Sequence, residues 1–358
     1  MILVPGPVEL HERVLKAIAM QVVSHRSEKF SNLLTSILED LKWSVGGNGE
    51  EKALLLTGSG TLGVEAMIYS LVNPGDRVLV LEFGEFGRRM RESLESRGAR
   101  LETLKSPPGS APSFAEVAEA AERFKPKYIA TVHVETSTGA IISYLERLSR
   151  LSEEMGAQLL LDAVSSLGGE ELRMSSWNIF AVASCSQKGL GGPPGLSIVA
   201  LSSEASRIAC RTSSKPSYLD LCKYLKFLEK RETPFTPAIN LMYGLAEALR
   251  ILREEGKEER WSRIQRASSL LYNEAGRLGY SPLPSEEVRA HTVAALVPPR
   301  GRSSIEIAEN LKKREIYVAT GMGDLKEKIL RVGVMGYITE EHVRKLIGEM
   351  ERIEEEQA

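Results

Sequence analysis

An α/β fold built on a mostly parallel, mixed sheet is the expectation for this chain of 358 residues. Two patterns carry it. From about residue 53 to 201 short apolar runs alternate with amphipathic helical patterns, as strands joined by crossover helices require. After about residue 212 the strand signal fades into a long helical stretch, and a shorter mixed segment follows. A chain of this length divides more readily than it builds one core. The division expected is a large domain over 15–250 and a small domain made of 1–14 and 251–358.

The strands of the first part are read at 53–56, 78–81, 128–132, 159–161, 179–183 and 196–200, each a short apolar run bounded by turn formers. Helical spacing falls between them at 62–71, 86–97, 113–123 and 144–155. Pro74-Gly75-Asp76 and the loop 107–112 are the clearest punctuation. Ile239, Met242, Leu245, Leu249 and Leu252 then repeat at helical spacing along one long helix. The second part reads as a helix at 260–278, a strand at 291–297, a helix at 304–314, strands at 316–319 and 328–334, and a closing helix. Thr339 is placed to cap that last helix, Glu340 and Glu341 suit its first turn, and Val343, Leu346, Ile347, Met350 and Ile353 share one face.

Charge excludes whole classes of partner. The 46 basic and 48 acidic residues are interspersed, with a net charge of -2, so no footprint for nucleic acid or an anionic membrane is present and small molecules are the expected partners. The N-terminal residues lack a basic, apolar signal pattern, and no run approaches the ~20 apolar residues of a membrane span, which points to the cytoplasm. Cys185, Cys210 and Cys222 are too few and too irregular for a disulfide framework or a zinc site, so they read as reduced thiols and no metal is expected. Sparse Asn and Gln beside abundant Glu, Lys and Arg lean toward a heat-adapted source.

The chemistry concentrates in a few segments. Lys188 follows an apolar run and is enclosed by Gly189, Gly191, Gly192, Pro193, Pro194 and Gly195, the setting of a lysine held out of water at a strand end. Asp162, 26 positions earlier, ends another apolar run, 159–161. An amine and a carboxylate both leaving buried strands are what pyridoxal phosphate needs, one to bond its aldehyde and the other to keep its ring nitrogen protonated. Thr57-Gly58-Ser59-Gly60-Thr61 lies at a strand-to-helix turn, where free N–H groups and the helix dipole favour a phosphate, although such turns also serve as plain connectors. Thr136 follows the 128–132 strand and suits a contact with the ring hydroxyl, while His133 and Glu135 beside it read as structural. Phe86, between Gly84 and Gly87, is the preferred stacking residue against core packing. Arg331 stands in the apolar run 329–334, either clamping a carboxylate or lying on a wet face.

Taken together these segments resemble the class V, fold type I pyridoxal phosphate enzymes, in particular the alanine-glyoxylate and serine-pyruvate aminotransferases. The resemblance runs over essentially the whole chain, through Pro5-Gly6-Pro7, Ser24-His25-Arg26-Ser27, 58–61, 135–139, 162–169, Ser186-Gln187-Lys188, Tyr218-Leu219-Asp220 and 330–333. It implies a homodimer with shared active sites, an amino group moved from alanine or serine to glyoxylate or pyruvate, and ping-pong kinetics. It implies that Lys188 bonds the cofactor covalently, that Asp162 pairs with the ring nitrogen and that Val164 and Phe86 flank the ring. Ser59, Gly60, Thr61 and Gln187 match phosphate-binding positions, Thr136 the ring-hydroxyl contact, Arg331 the substrate arginine, and Thr236 a threonine reaching the neighbouring subunit's phosphate. Two positions depart from the pattern: Thr233 stands where relatives often have a tyrosine, and Phe86 where they often have tryptophan.

Alternatives follow from the same residues. A transaminase for aspartate or another dicarboxylic acid needs a second basic group, for which Arg26 and Arg88 are the candidates. A cysteine desulfurase needs a mobile cysteine near the substrate, yet none occurs after Cys222 and Cys185 lies in an apolar strand. A non-catalytic sensor or scaffold would have no use for Lys188, Asp162 and Arg331 together.

Overall fold

Seven strands form the main layer of the computed structural model, which describes residues 1–356. They are β1 (Lys52–Thr57), β2 (Arg77–Glu82), β3 (Arg100–Lys105), β4 (Tyr128–Val132), β7 (Gln158–Asp162), β8 (Ala181–Cys185) and β9 (Leu196–Leu201), while β5 (Val134–Glu135) and β6 (Ala140–Ile141) pair in a small ribbon after β4. The order across the sheet is β1-β9-β8-β7-β4-β2-β3, parallel from β3 to β8, with β9 antiparallel to both of its neighbours. Parallel strands must be covered on both faces. One face is covered from Phe30, Leu34, Ile37 and Leu41 of α2 (Glu28–Ser44), the other from Met67, Ile68 and Leu71 of α3 (Gly60–Leu71).

The crossovers are α4 (Glu85–Ser96), α5 (Phe114–Phe124) and α6 (Leu145–Glu154), and their ends fall within two residues of the sequence reading. The capping box of α5, with Ser113 and Glu116 bonding each other's backbone, shows why that start was readable. Strand β3 was not foreseen. Its sequence, RLETLK, interrupts the apolar run with charge because it is the sheet edge, where Arg100 and Lys105 are exposed and Glu102 is half-buried.

After β9 come α7 (Ser203–Arg211), α8 (Leu221–Leu228) and the predicted long helix α9 (Ile239–Glu255), against which α1 (Glu12–Ile18) packs. Here one expectation fails: Cys210 and Cys222 form a disulfide, and Cys185 alone is a free, buried thiol. Nothing in a spacing of 12 residues announces that the chain between α7 and α8 turns back on itself. Closing a loop of that size restricts the unfolded chain by about 3 kcal/mol in the loop-entropy account.

Gly256 ends α9 at φ +86 and starts α10 (Lys257–Arg277), which leads into a second, antiparallel sheet. That sheet has the order β10-β11-β13-β12, from β10 (Ser281–Pro282), β11 (Val293–Val297), β12 (Ala319–Thr320) and β13 (Leu330–Gly333). With α11 (Ser304–Lys313) and α12 (Glu340–Glu355) it encloses a core of its own, including Ile264, Leu271, Leu311, Val332, Leu346 and Ile353. The strand expected at 316–319 shrinks to β12, because Tyr317 pairs instead with the N-terminus through a parallel bridge to Ile2. Leu3 joins the same core, and Gly333 N–H donates to its carbonyl at 2.7 Å.

One buried acid ties the two sheets together. Glu170, past β7, accepts the N–H groups of His291 (2.6 Å) and Thr292 (2.9 Å) ahead of β11 and pairs with His291 Nδ1 at 2.9 Å. Burial pushes the Glu170 carboxyl up, but the bonds to His291 outweigh it and leave the group below its ordinary range. The hydrogen bond to Glu170 raises His291 above its ordinary value of about 6.5. The histidine's contribution is therefore complete below about pH 6.5 and is lost as pH rises through the raised folded value, while that of Glu170 is present above its ordinary value and lost as pH falls. Thermal unfolding should show a lower midpoint at about pH 9 than at about pH 6, and His291→Ala should flatten the difference. An identical pH dependence in both proteins would disprove the coupling.

Candidate active site

The C-terminal ends of β4, β7 and β8 lie side by side, with Val132 opposite Asp162 and Asp162 opposite Ala183. In an open α/β sheet this edge is where ligands bind. Asp162 is the last residue of β7 and is buried, its Oδ1 accepting Val164 N–H at 2.8 Å. Burial pushes its carboxyl up to about 7; the Val164 bond opposes this and the nearby Glu135 charge adds to it. The charge of Lys188 also lowers it, by less than burial raises it.

Lys188 leaves β8 in a turn closed by Gly191 N–H on its carbonyl (2.9 Å) and Gly192 N–H on the Ser186 carbonyl (2.8 Å). Its side chain is buried, and Nζ donates to the Pro5 carbonyl. Burial holds the amine below its ordinary value, and the charge of Arg331 pushes the same way against Asp162 and Glu135. The motif Pro5-Gly6-Pro7 thereby acquires a physical reason. A Cβ on Gly6 would fall 2.5 Å from Lys188 Cδ, and the residue sits at φ +108, so only glycine lets the N-terminal segment lie against the lysine.

The turn 57–61 joins β1 to α3, with Ser59 as N-cap in extended conformation and its hydroxyl making no capping bond among the described residues. Ser59 and Thr61 are exposed, and the first turn of α3 presents N–H groups suited to an anion. Gly60 is buried because a Cβ there would meet Val164 Cγ2 at 2.8 Å. Val164 is half-buried beside it, and Gln187 lies half-buried next to the lysine, its carbonyl taking Val8 N–H at 3.1 Å.

Glu135, foreseen as structural, builds the start of α4. Its Oε2 accepts Phe86 and Gly87 N–H, both at 3.0 Å, and its Oε1 accepts Ser137 N–H at 3.0 Å and the Ser137 hydroxyl. Ser137 Oγ in turn accepts Glu85 N–H at 3.0 Å, and Gly84 is needed because a Cβ would fall 2.3 Å from Glu135 Cγ. Burial pushes this carboxyl up and the four donors oppose it. Phe86 is fixed by that cap, half-buried with Arg89 over its ring at 5.0 Å.

Thr136 is buried and shares a hydrogen bond with Ser165, a partner that nothing in the sequence singled out. Its carbonyl accepts Arg331 Nη1 at 3.0 Å, and Thr320 O accepts Arg331 Nε at 2.9 Å. Arg331 is thus buried rather than on a wet face, held by two carbonyls and by no carboxylate among the described residues. A guanidinium in that position calls for an anion.

The remaining predicted residues lie at the margins. Thr236 is exposed, in a segment that docks on the 57–61 turn: Ala238 N–H donates to Thr57 Oγ1 at 3.1 Å. Thr233 is turned into its own loop, its hydroxyl on Phe235 O at 2.8 Å. Arg26 pairs with Glu232 and Arg88 with Glu85 and Glu92, so both candidate second bases carry their own acids. His133 is buried and neutral, its pKa lowered to about 4 by burial. Burial pushes the Cys185 thiol up to about 12, which makes it inert.

A flat molecule with an aldehyde, a basic ring nitrogen and a phosphate fits this set of groups. The amine of Lys188, the cation-seeking Asp162 and the open helix start at 59–61 each match one of its parts. Residues 10–346 match the family model for class V aminotransferases. A protein of Anabaena cylindrica named soluble hydrogenase 42 kDa subunit is 34% identical over 98% of this chain and 92% of its own. The solved alanine–glyoxylate aminotransferase of Nostoc sp. has a TM-score of 0.92 at 35% identity, covering 98% of this chain and 94% of that one. The aspartate aminotransferase of Thermus thermophilus, of subgroup IV, has a TM-score of 0.91 at 34% identity and 99% coverage of both chains.

The Glu135 cap can be tested directly. Glu135→Gln turns an amide N–H toward backbone donors, and denaturant unfolding should record a loss of about 2 kcal/mol, an N-cap plus one unmet buried group. An unchanged midpoint would show that the four bonds contribute nothing.

Proposed function

Because the chain belongs to the class V aminotransferases, an enzyme family dependent on pyridoxal phosphate, we propose that Lys188 and Asp162 hold that cofactor and that the substrates are small. In this reading an amino group passes from alanine or serine to glyoxylate or pyruvate. The observation that carries it is Arg331, buried, without a carboxylate partner among the described residues, and close enough to Lys188 to bear on its protonation. When bound, pyridoxal phosphate supplies an electron sink that makes the substrate's Cα–H acidic.

The chain's own residues do the rest. Arg331 receives the substrate carboxylate through its free N–H groups and fixes the orientation of Cα. Lys188, its basicity lowered by burial, takes the proton from Cα and returns it elsewhere, a role that the lowered basicity serves. Asp162 stays ionised once a positive ring nitrogen is beside it, since an adjacent cation offsets the burial that otherwise raises its pKa. Ser59, Gly60, Thr61 and Gln187 would hold the phosphate and Thr136 the ring hydroxyl, with Phe86 and Val164 as the residues that would pack on the ring. In a homodimer, the exposed Thr236 would be free to meet the phosphate held by the other subunit.

Three observations narrow the choice. The pairing of Arg26 and Arg88 with glutamates leaves neither for a second carboxylate, which favours small donors over aspartate. A desulfurase lacks its nucleophile, because Cys185 is buried and inert and Cys210 and Cys222 are joined. The hydrogenase name of the Anabaena relative is not carried over, since the lysine, aspartate and arginine are those of amino transfer. No helix among the described residues is long and apolar enough to cross a membrane. We place the enzyme in the cytoplasm.

Mixing the cofactor-loaded enzyme with single amino acids tests the substrates. Alanine and serine should convert bound pyridoxal to the amine form, read by absorbance, and aspartate, glutamate and cysteine should do so at least about tenfold more slowly, a difference of about 1.4 kcal/mol in the barrier. Faster conversion by aspartate would overturn the proposed class. In Lys188→Ala the conversion should fall by about a thousandfold or more, as removal of a proton-transfer group requires.

A further inference from the structure

We propose that Cys210 and Cys222 form a reversible redox site whose state sets how tightly the enzyme holds its cofactor's phosphate; this rests on the reading of 57–61 as the phosphate turn. The disulfide closes the loop between α7 and α8, with Cys210 exposed and Cys222 buried in the first turn of α8. That loop carries Tyr218, an exposed aromatic that meets both sides of the phosphate region. Its hydroxyl donates to the carbonyl of Thr57, the first residue of the turn, at 3.1 Å. Its ring stacks on Phe235, the neighbour of Thr236, with centroids 4.8 Å apart and planes 24° from parallel.

A second route runs through α8. Tyr224 lies two residues past Cys222, donates its hydroxyl to the Tyr218 carbonyl at 3.3 Å and sets its ring edge against Phe235 at 6.0 Å. The disulfide thus fixes both attachments of one aromatic cluster, and the cluster braces the turn and the Thr236 segment against each other. Other bonds hold the back of the loop: Arg97 donates to the carbonyls of Ser213 and Ser214, and Ser70 bonds Leu219 and Leu221. Reduction therefore loosens the brace without unfolding it, which is what a graded control needs.

Access suits a dithiol reductant. Cys210 lines a cavity of about 690 Å³ between α2, α7 and α8, with Arg207 and Arg211 beside it and Leu34, Leu38 and Leu228 on its walls. A reductant thiolate attacks the sulfur of Cys210 from that cavity, and the S–S bond breaks with Cys222 leaving as a thiolate that takes up a proton. The reductant's second thiol then displaces Cys210, which is protonated in turn. Two electrons and two protons have passed to the protein, and the dithiol has become a disulfide.

The test uses the cofactor-loaded enzyme with and without dithiothreitol, counting accessible thiols and following cofactor release by absorbance. Reduction should free two thiols and speed release about tenfold, equivalent to about 1.4 kcal/mol. The Cys210→Ser/Cys222→Ser variant should release at the faster rate and ignore the reductant. Tyr218→Ala with the disulfide intact should also release faster and respond weakly to reduction, since the brace is already lost. Release unchanged after two thiols appear, or a bond that resists reduction in the folded enzyme, overturns the proposal. Ser59→Ala separates the two layers: if it leaves release unaltered, the phosphate reading of the turn fails with it; if it speeds release while reduction does not, only the redox site fails.

Discussion

Four ionisable side chains share one buried space at the end of the large sheet, and the cost of keeping them there shapes everything around it. Lys188, Asp162, Glu135 and Arg331 are all removed from water, and each influences the protonation of at least one other. Charges so placed must be met by partners or shift toward neutrality. Glu135 has its four donors and Arg331 its two carbonyls, so these are largely satisfied by the chain itself. Asp162 and Lys188 are not, with one backbone contact each among the described residues. The unmet pair is the one proposed to hold the cofactor, and the unmet part of Arg331 is the part proposed to meet the substrate.

The sequence made the placement of Lys188 and Asp162 at strand ends legible because its signals are local. A lysine bounded by glycine and proline after a run of small apolar residues, and an aspartate closing a leucine run, each fix their own place at a strand end. Arg331 was ambiguous for the opposite reason. Its strand pattern fits either face, and what settles its burial is the pair of carbonyls from Thr136 and Thr320, one 195 and the other 11 residues away. Ser165 was invisible on the same ground. Strand β3 hid behind the charges an edge needs, and the disulfide behind a spacing that encodes no geometry.

Glycines mark where backbones come too close for a side chain, and three of them locate the joints of the site. Gly6 meets Lys188, Gly60 meets Val164, and Gly84 meets Glu135. Each contact joins segments far apart in sequence, so each holds together elements that the sheet alone would not bring into register. The Glu170 pairing with His291 does the same between the two sheets.

The N-terminal residues close this arrangement. Leu3 docks on Gly333 and Tyr317, and three residues later Gly6 lies against the lysine. Leu3 must therefore wait on the ribosome for its partner, since 330 positions separate it from Gly333. At synthesis rates of roughly 5–20 residues per second that delay is on the order of tens of seconds. The lysine pocket cannot be walled until residue 333 has been made, and until then its amine stays open on one side to any passing aldehyde.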